Sequence, residues 1–300
     1  MSEVAVVKIG GSVFIDRLAY GRVAAHLRAR VEGDPAARLV VVVSAEFGHT
    51  DALLDEARSL ATEPDAAALD LLWSTGELRS VALLTLSLRA AGVDATAFNV
   101  HATGLSVESG SDRLVLNPLA LRGALARHAI VVVPGFLATR GPRVVTLGRG
   151  GSDWSAVMLA AALGASRCEL IKDVDGYFTD DPHASKDAQL IPALDYDEAL
   201  RMADAGCPLV QRQAIAAAAA ARLPIVVRSL HSQGTFVHHQ GVSRLTSCVG
   251  PTASCAGPTA PYVEPAVSYV GPTELRSAAA ADRRSVGAAY SGAAMGLETR

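Results

Sequence analysis

Short apolar, largely β-branched runs recur along the chain: VAVVKI (4–9), LVVVVS (39–44), ATAFNV (95–100), AIVVVP (129–134), ELIKDV (169–174) and LPIVVRS (223–229). Most lack the strict in/out alternation of a half-solvated strand, which predicts strands buried on both faces. Between them, Ala-, Leu- and Arg-rich segments over 16–32, 50–61, 65–91, 118–127, 152–164, 195–204 and 208–222 predict helices. Alternating strands and helices predict the α/β class, as a three-layer α/β/α sandwich around a mostly parallel central sheet. Asp65 is placed to cap the long helix, Gly92 to stop it, and Ser152 or Asp153 to open a helix at 154. From about residue 247 the pattern breaks into VGPT, AGPT and VGPT repeats, which predicts a folded domain over 1–246 followed by a loop-rich tail over 247–300.

Composition narrows the function classes. Half of the 300 residues are hydrophobic, and 27 Lys+Arg against 30 Asp+Glu leave a net charge of −3. The basic excess of a nucleic-acid-binding surface is absent from this balance. No apolar stretch approaches the roughly 20 residues that span a bilayer, and MSEVAVVKIGG runs straight into a strand, so a cytoplasmic location without a membrane partner is expected. The four cysteines form no CxxC pair, and no protein-ligated metal is expected.

In open parallel sheets, ligands bind beyond the carboxyl ends of the strands. Four such places carry unusual residues: Lys8 with Gly10, Gly11 and Ser12; Ser44 through Asp51, including Thr50; Gly148 to Asp153; and Lys172 to Pro182. Glycines let backbone N–H groups approach an anion, and a helix N-terminus adds its positive dipole end. Neither common nucleotide fingerprint fits: Lys8 precedes its glycines, unlike a P-loop, and Gly148–Gly151 does not make a GxGxxG turn after a first strand. Glu77 follows Gly76 inside an apolar helical segment, where glycine costs about 1 kcal/mol against alanine and close backbone access is implied.

Read in order, VVKIGGSV, VVVSAEFGHTD, STGELRSVALL, VVPGFLATRG, VTLGRGGSDWSAVMLAAALGA and KDVDGYFTDDP resemble the amino-acid kinase superfamily, most closely the catalytic domain of aspartokinases, over roughly residues 4 to 238. The resemblance implies that Lys8 bridges the transferring phosphoryl group and that Gly10, Gly11 and Ser12 cradle phosphates. It places Ser44, Thr50, Glu77, Phe136, Arg149 and Ser152 at the amino-acid site. Arginine suits a carboxylate clamp and glutamate an ammonium. Asp153 would organise Lys8, and the turn with Lys172, Asp173, Phe178 and Asp181 would hold ATP, accompanied by Mg²⁺. A homodimer is also implied.

The departures from the aspartokinase pattern are specific. KIGGSVF lacks the second hydroxyl of KFGGTSV; Lys172, Phe178 and His183 stand where threonine, tyrosine and arginine are usual; and CPLVQR (207–212) replaces the segment GAK plus V-x-H-P. Lys172 and Arg212 could restore positive charge near the nucleotide. The stretch after residue 250 is too short for the usual pair of ACT domains, so feedback through them is not expected. The leading expectation is ATP-dependent phosphorylation of the side-chain carboxylate of aspartate or a close analogue, in a specialised biosynthetic route. Two alternatives remain: a superfamily kinase acting on another small acid, phosphate or phosphonate, and a non-catalytic ligand-binding paralogue.

Overall fold

The computed structural model describes residues 4–239 except 112, 149, 181, 183, 184 and 208, all within one compact unit. The expected tail over 247–300 lies outside the described residues.

The main sheet contains β1 (Val4–Ile9), β2 (Arg38–Val43), β3 (Ala95–Ala97), β6 (Ile130–Pro134), β9 (Cys168–Ile171), β10 (Ala193–Asp195), β11 (Ile225–Arg228) and β12 (Thr235–His238). Their order is β10-β12-β11-β9-β1-β2-β6-β3, parallel throughout except between β11 and β12. Helices α1 (Arg17–Gly33), α2 (His49–Leu60), α3 (Ala66–Ala90), α4 (Leu119–Leu125), α5 (Gly151–Leu163), α6 (Tyr196–Asp204) and α7 (Arg212–Ala221) complete the frame. On one face α1 and α3 pack Val23, Leu27, Leu84 and Leu88 onto Val7, Val41 and Val132. On the other, the alanines of α5, α6 and α7, among them Ala156, Ala199 and Ala214, lie against Val6, Val42, Leu170 and Val227. The expected α/β/α sandwich is therefore the observed one. Small residues on this second face let three helices approach the sheet closely, which matters because α5 carries part of the site.

The structure adds what the hydrophobic pattern does not predict. A second sheet, ordered β5-β4-β7-β8, is built from β4 (Leu105–Val107), β5 (Leu114–Leu116), β7 (Leu137–Arg140) and β8 (Arg143–Thr146). Leu105, Val107, Leu114 and Ala138 form its small core, against which Trp154 and Met158 of α5 pack. Strands of three or four residues carry too few positions for a period to register. The run at 95–100 is strand only to Ala97, because Asn99 turns back and its side chain accepts the Ala102 N–H at 3.0 Å.

Helix ends follow their caps with one functional exception. Asp65 accepts the Ala68 N–H at 2.9 Å, and Gly92 stands just past the end of α3 with φ +80°. Neither Ser152 nor Asp153 caps α5: Gly150, left-handed at φ +71°, occupies that position without a side-chain bond. Asp153 thus lies inside the first turn, and its carboxylate is released from capping for other partners. Among the described residues, no helix is long and apolar enough to cross a membrane.

Candidate active site

The carboxyl ends of β9, β1, β2 and β6, neighbours in the sheet, carry nearly all the residues singled out above. Side-chain alternation on β1 places Lys8 on the same face as Val6, beneath α5. The parallel register pairs Lys8 with Leu170, so Lys172, two residues further along, reaches that same face. Asp153 lies between the two lysines: Lys8 Nζ is 2.7 Å from Oδ1, and Lys172 Nζ donates to Oδ2 at 2.7 Å. Burial alone would raise the Asp153 carboxyl, but the charges of Lys172 and Lys8 hold it below the usual range. Burial pushes Lys8 down to about 8 against the attraction of Asp153. Lys8, Lys172 and Asp153 taken together carry a net positive charge.

The glycine turn after β1 continues the site. Gly10 N–H donates to Ile171 O at 2.9 Å, and Ser12 Oγ donates to Asp173 at 2.8 Å, tying this turn to the one after β9. A Cβ on Gly11 would stand 2.7 Å from the Ala45 carbonyl oxygen and 3.8 Å from Ser44 Cβ. The contact is with backbone, so the two loops would have to separate. Gly11→Ala is therefore expected to destabilise the protein by about 1–3 kcal/mol, and thermal unfolding checks it; an unchanged midpoint would refute the close approach.

Beside this centre, over β2 and β6, lies a second group of residues. Glu77 is buried in α3; its Oε1 accepts the Ala45 N–H at 3.3 Å, while Oε2 has no hydrogen-bond partner. Burial pushes the Glu77 carboxyl up to about 7, against the lowering effect of the Ala45 bond and Lys8. Gly76 permits this placement, since a Cβ there would lie 3.0 Å from both Ala45 Cβ and His49 Cδ2. Thr50 enters on the first turn of α2, its carbonyl accepting Trp73 Nε1–H at 3.1 Å. Phe136 follows β6 with φ +64°, a conformation costly for an aromatic residue, and meets Trp73 edge-on at 6.2 Å between ring centres. Ser152 closes against Gly135, where a Cβ would approach Ser152 Cβ to 2.9 Å.

A model of the amino acid kinase family matches residues 3–229. The chain belongs to the amino acid kinase family. It is 39% identical over 208 residues to an aspartokinase of Thermus thermophilus, covering 68% of this chain and 50% of that protein. Among solved structures it is similar to aspartate kinase from Synechocystis, with a TM-score of 0.71 and 36% identity over 80% of this chain and 41% of the other. It is also similar to E. coli aspartokinase III in complex with aspartate and ADP, with a TM-score of 0.66 and 26% identity over 80% of this chain and 66% of the other. The chain spans about half the length of the curated relatives it matches.

In this member of the amino acid kinase family the expected positions separate into two groups. Lys8, Gly10, Gly11, Ser12, Lys172, Asp173 and Asp153 gather at β1 and β9; Ser44, Thr50, Glu77, Phe136 and Ser152 border the neighbouring region. Phe178 is bridged to Leu190. Arg149 and Asp181, like His183 and Pro208, lie outside the described residues. Arg212 is engaged with exposed Asp204 at 2.7 Å, which leaves Lys172 as the cation that joins the centre.

Three supporting residues were not singled out by sequence reasoning. Glu46 pairs with Arg79 beside Glu77, and the charge pattern of GELR was the available signal. Asp70 accepts both the N–H and the hydroxyl of Thr146, at 3.2 and 2.6 Å, fixing α3 to the strand that leads into the glycine turn. Gln211 covers Gly150, where a Cβ would fall 1.7 Å from its Cγ. Gln211 falls in the departing segment CPLVQR, but neither its contact nor that of Asp70 had a local signal, since each depends on packing between elements distant along the chain.

Proposed function

We propose that this chain catalyses ATP-dependent phosphorylation of the side-chain carboxylate of aspartate or a close amino-acid analogue, giving an acyl phosphate and ADP. The observation that carries this reading is the pair of lysines held on Asp153 beside the buried carboxyl of Glu77. Phosphoryl transfer requires positioning and charge compensation more than a base of shifted pKa. Lys8 and Lys172 supply positive charge where the γ-phosphoryl passes, and the Gly10–Ser12 turn borders the phosphates. Glu77, with one buried oxygen lacking a partner, suits the substrate ammonium; Arg149 is assigned to its carboxylate by resemblance. A substrate oxygen attacks the γ-phosphorus as the bond to the ADP oxygen breaks.

ATP fits this donor set, and Mg²⁺ would be held largely through phosphate oxygens, as is usual for this ion. The proposal extends to a homodimer in the cytoplasm and to a specialised biosynthetic route. Relatives named as aspartokinases, one of them bound to aspartate and ADP, support the substrate class. A carboxyl at Glu77 disfavours an acceptor bearing only negative charge, which separates this reading from a phosphate or phosphonate kinase. With aspartate, ATP and Mg²⁺, ADP release is expected, with a hydroxamate when hydroxylamine is present. Absence of hydroxamate across a panel of related amino acids would overturn the reading, and calorimetry without ATP binding would identify a non-catalytic paralogue.

A further inference from the structure

The face of β9 opposite Lys172 carries a second charged cluster that phosphoryl transfer does not use. Glu169 points away from the α5 side and is almost fully buried. Arg30 from the last turn of α1 contacts it at 2.9 and 3.0 Å, Arg167 Nε donates to it at 2.9 Å, and Arg228 Nη2 donates at 2.9 Å. Among the described residues one carboxylate thus answers three guanidinium groups, and two positive charges are left in excess. His26 Nε2 lies 3.2 Å from Arg228 Nη2 and adds no fixed negative charge.

This cluster lines an open cleft of about 460 Å³, together with Ser232, Gln233, Val226 and Phe236. Phe236 is 46% exposed and, with Val226, gives the cleft an apolar side next to its cationic one. The Arg167 side chain is 41% exposed, so part of its guanidinium faces solvent. Arg228 Nη1 already donates to Ser229 O at 3.2 Å, so Arg167 is the guanidinium that faces solvent, and such a planar group is suited to carboxylate and phosphate oxygens. A half-exposed ring beside them suits a flat apolar group.

We propose that this cleft binds a small organic anion, with its carboxylate or phosphate on the arginine cluster and an apolar portion on Val226 and Phe236. The site lies on the opposite sheet face from the lysine–aspartate centre and does not depend on the kinase reading. Its backbone nevertheless touches that centre, because Arg228 O accepts the Lys172 N–H at 2.9 Å and Ser232 Oγ donates to Asp175 O at 3.2 Å.

Phenyl phosphate and benzoate are the probes, with inorganic phosphate and phenol as controls, each titrated into the full chain by calorimetry and followed at the His26 ring by NMR. The arginines Arg228 and Arg30, after burial, hold His26 below its ordinary range, so a bound anion is expected to raise its titration midpoint. At least one probe is expected to bind in the millimolar range or tighter and to outcompete both controls; which one does so distinguishes a phosphate from a carboxylate ligand. Arg167→Ala is expected to weaken binding by about tenfold, Arg167→Lys to restore part of it, and both to keep the wild-type unfolding midpoint and basal turnover. Lys8→Met is expected to leave binding intact. No binding at about 10 mM, equal binding of phenol, indifference to Arg167→Ala, or loss in Lys8→Met would each overturn the proposal.

Discussion

Asp153→Ala is expected to lower turnover by roughly 10²–10³-fold and also to destabilise the fold by about 3–5 kcal/mol, the cost of leaving a buried charge without its partner. The reason is geometric. Asp153 is the only carboxylate that both Lys8 and Lys172 contact among the described ion pairs, at 2.7 Å each. Without it two ammonium groups repel one another, and Lys8, already brought down to about 8 by burial, shifts further toward its neutral form. The lysine–aspartate centre then loses the Lys8 charge at neutral pH. Lys8→Ala is expected to lose turnover comparably with a smaller loss of stability, since Lys172 still satisfies Asp153. Hydroxamate formation and chemical unfolding separate the two effects; wild-type turnover in Asp153→Ala would refute the assigned role.

Glu77 is expected to impose a pH dependence on substrate binding. Its carboxyl titrates near 7, above the range of an exposed glutamate, because burial disfavours the ionised form. Only the carboxylate attracts an ammonium, so at saturating ATP the KM for the amino acid should rise about tenfold from pH 8 to pH 6. kcat should change by no more than about twofold over that window, the change expected from Lys8, which burial brings down to about 8, being half neutral at pH 8. The stability effect has the opposite sense. A carboxyl with a raised folded-state pKa binds more protons folded than unfolded, so stability falls as pH rises from about 4.5 to about 7 and then levels off. The ionised form costs about 3 kcal/mol. Glu77→Gln is therefore expected to stabilise the protein above pH 7 while raising KM and flattening its pH dependence. An equal pH slope in wild type and variant would remove Glu77 from the ammonium site.

These effects separate what was legible along the chain from what was not. The strands at the centre of the main sheet are continuous apolar runs, and Asp65 and Gly92 mark the ends of α3, because these signals are local. The residues gathered around the lysine–aspartate centre could likewise be named, since each lies at the end of a strand, in a glycine turn, in the turn after a strand or in the first turn of a helix. The small sheet escaped notice because its strands contribute too few positions each. Asp153 was expected to compete for a capping role, yet left-handed Gly150 takes that place and frees the carboxylate.

By itself, the sequence determined the alternation of buried strands and helices, the family motifs and the presence of an unusual Lys172 in the turn after β9. Only the tertiary structure decided what that lysine does. A parallel register between β1 and β9 and a period of two put Lys8 and Lys172 on one face, where α5 delivers Asp153 to both. The same register sends Glu169 to the other face and into three arginines drawn from α1, β11 and the approach to β9. Pairings of this kind depend on long-range contacts between elements far apart in the chain, and no local pattern of residues encodes them.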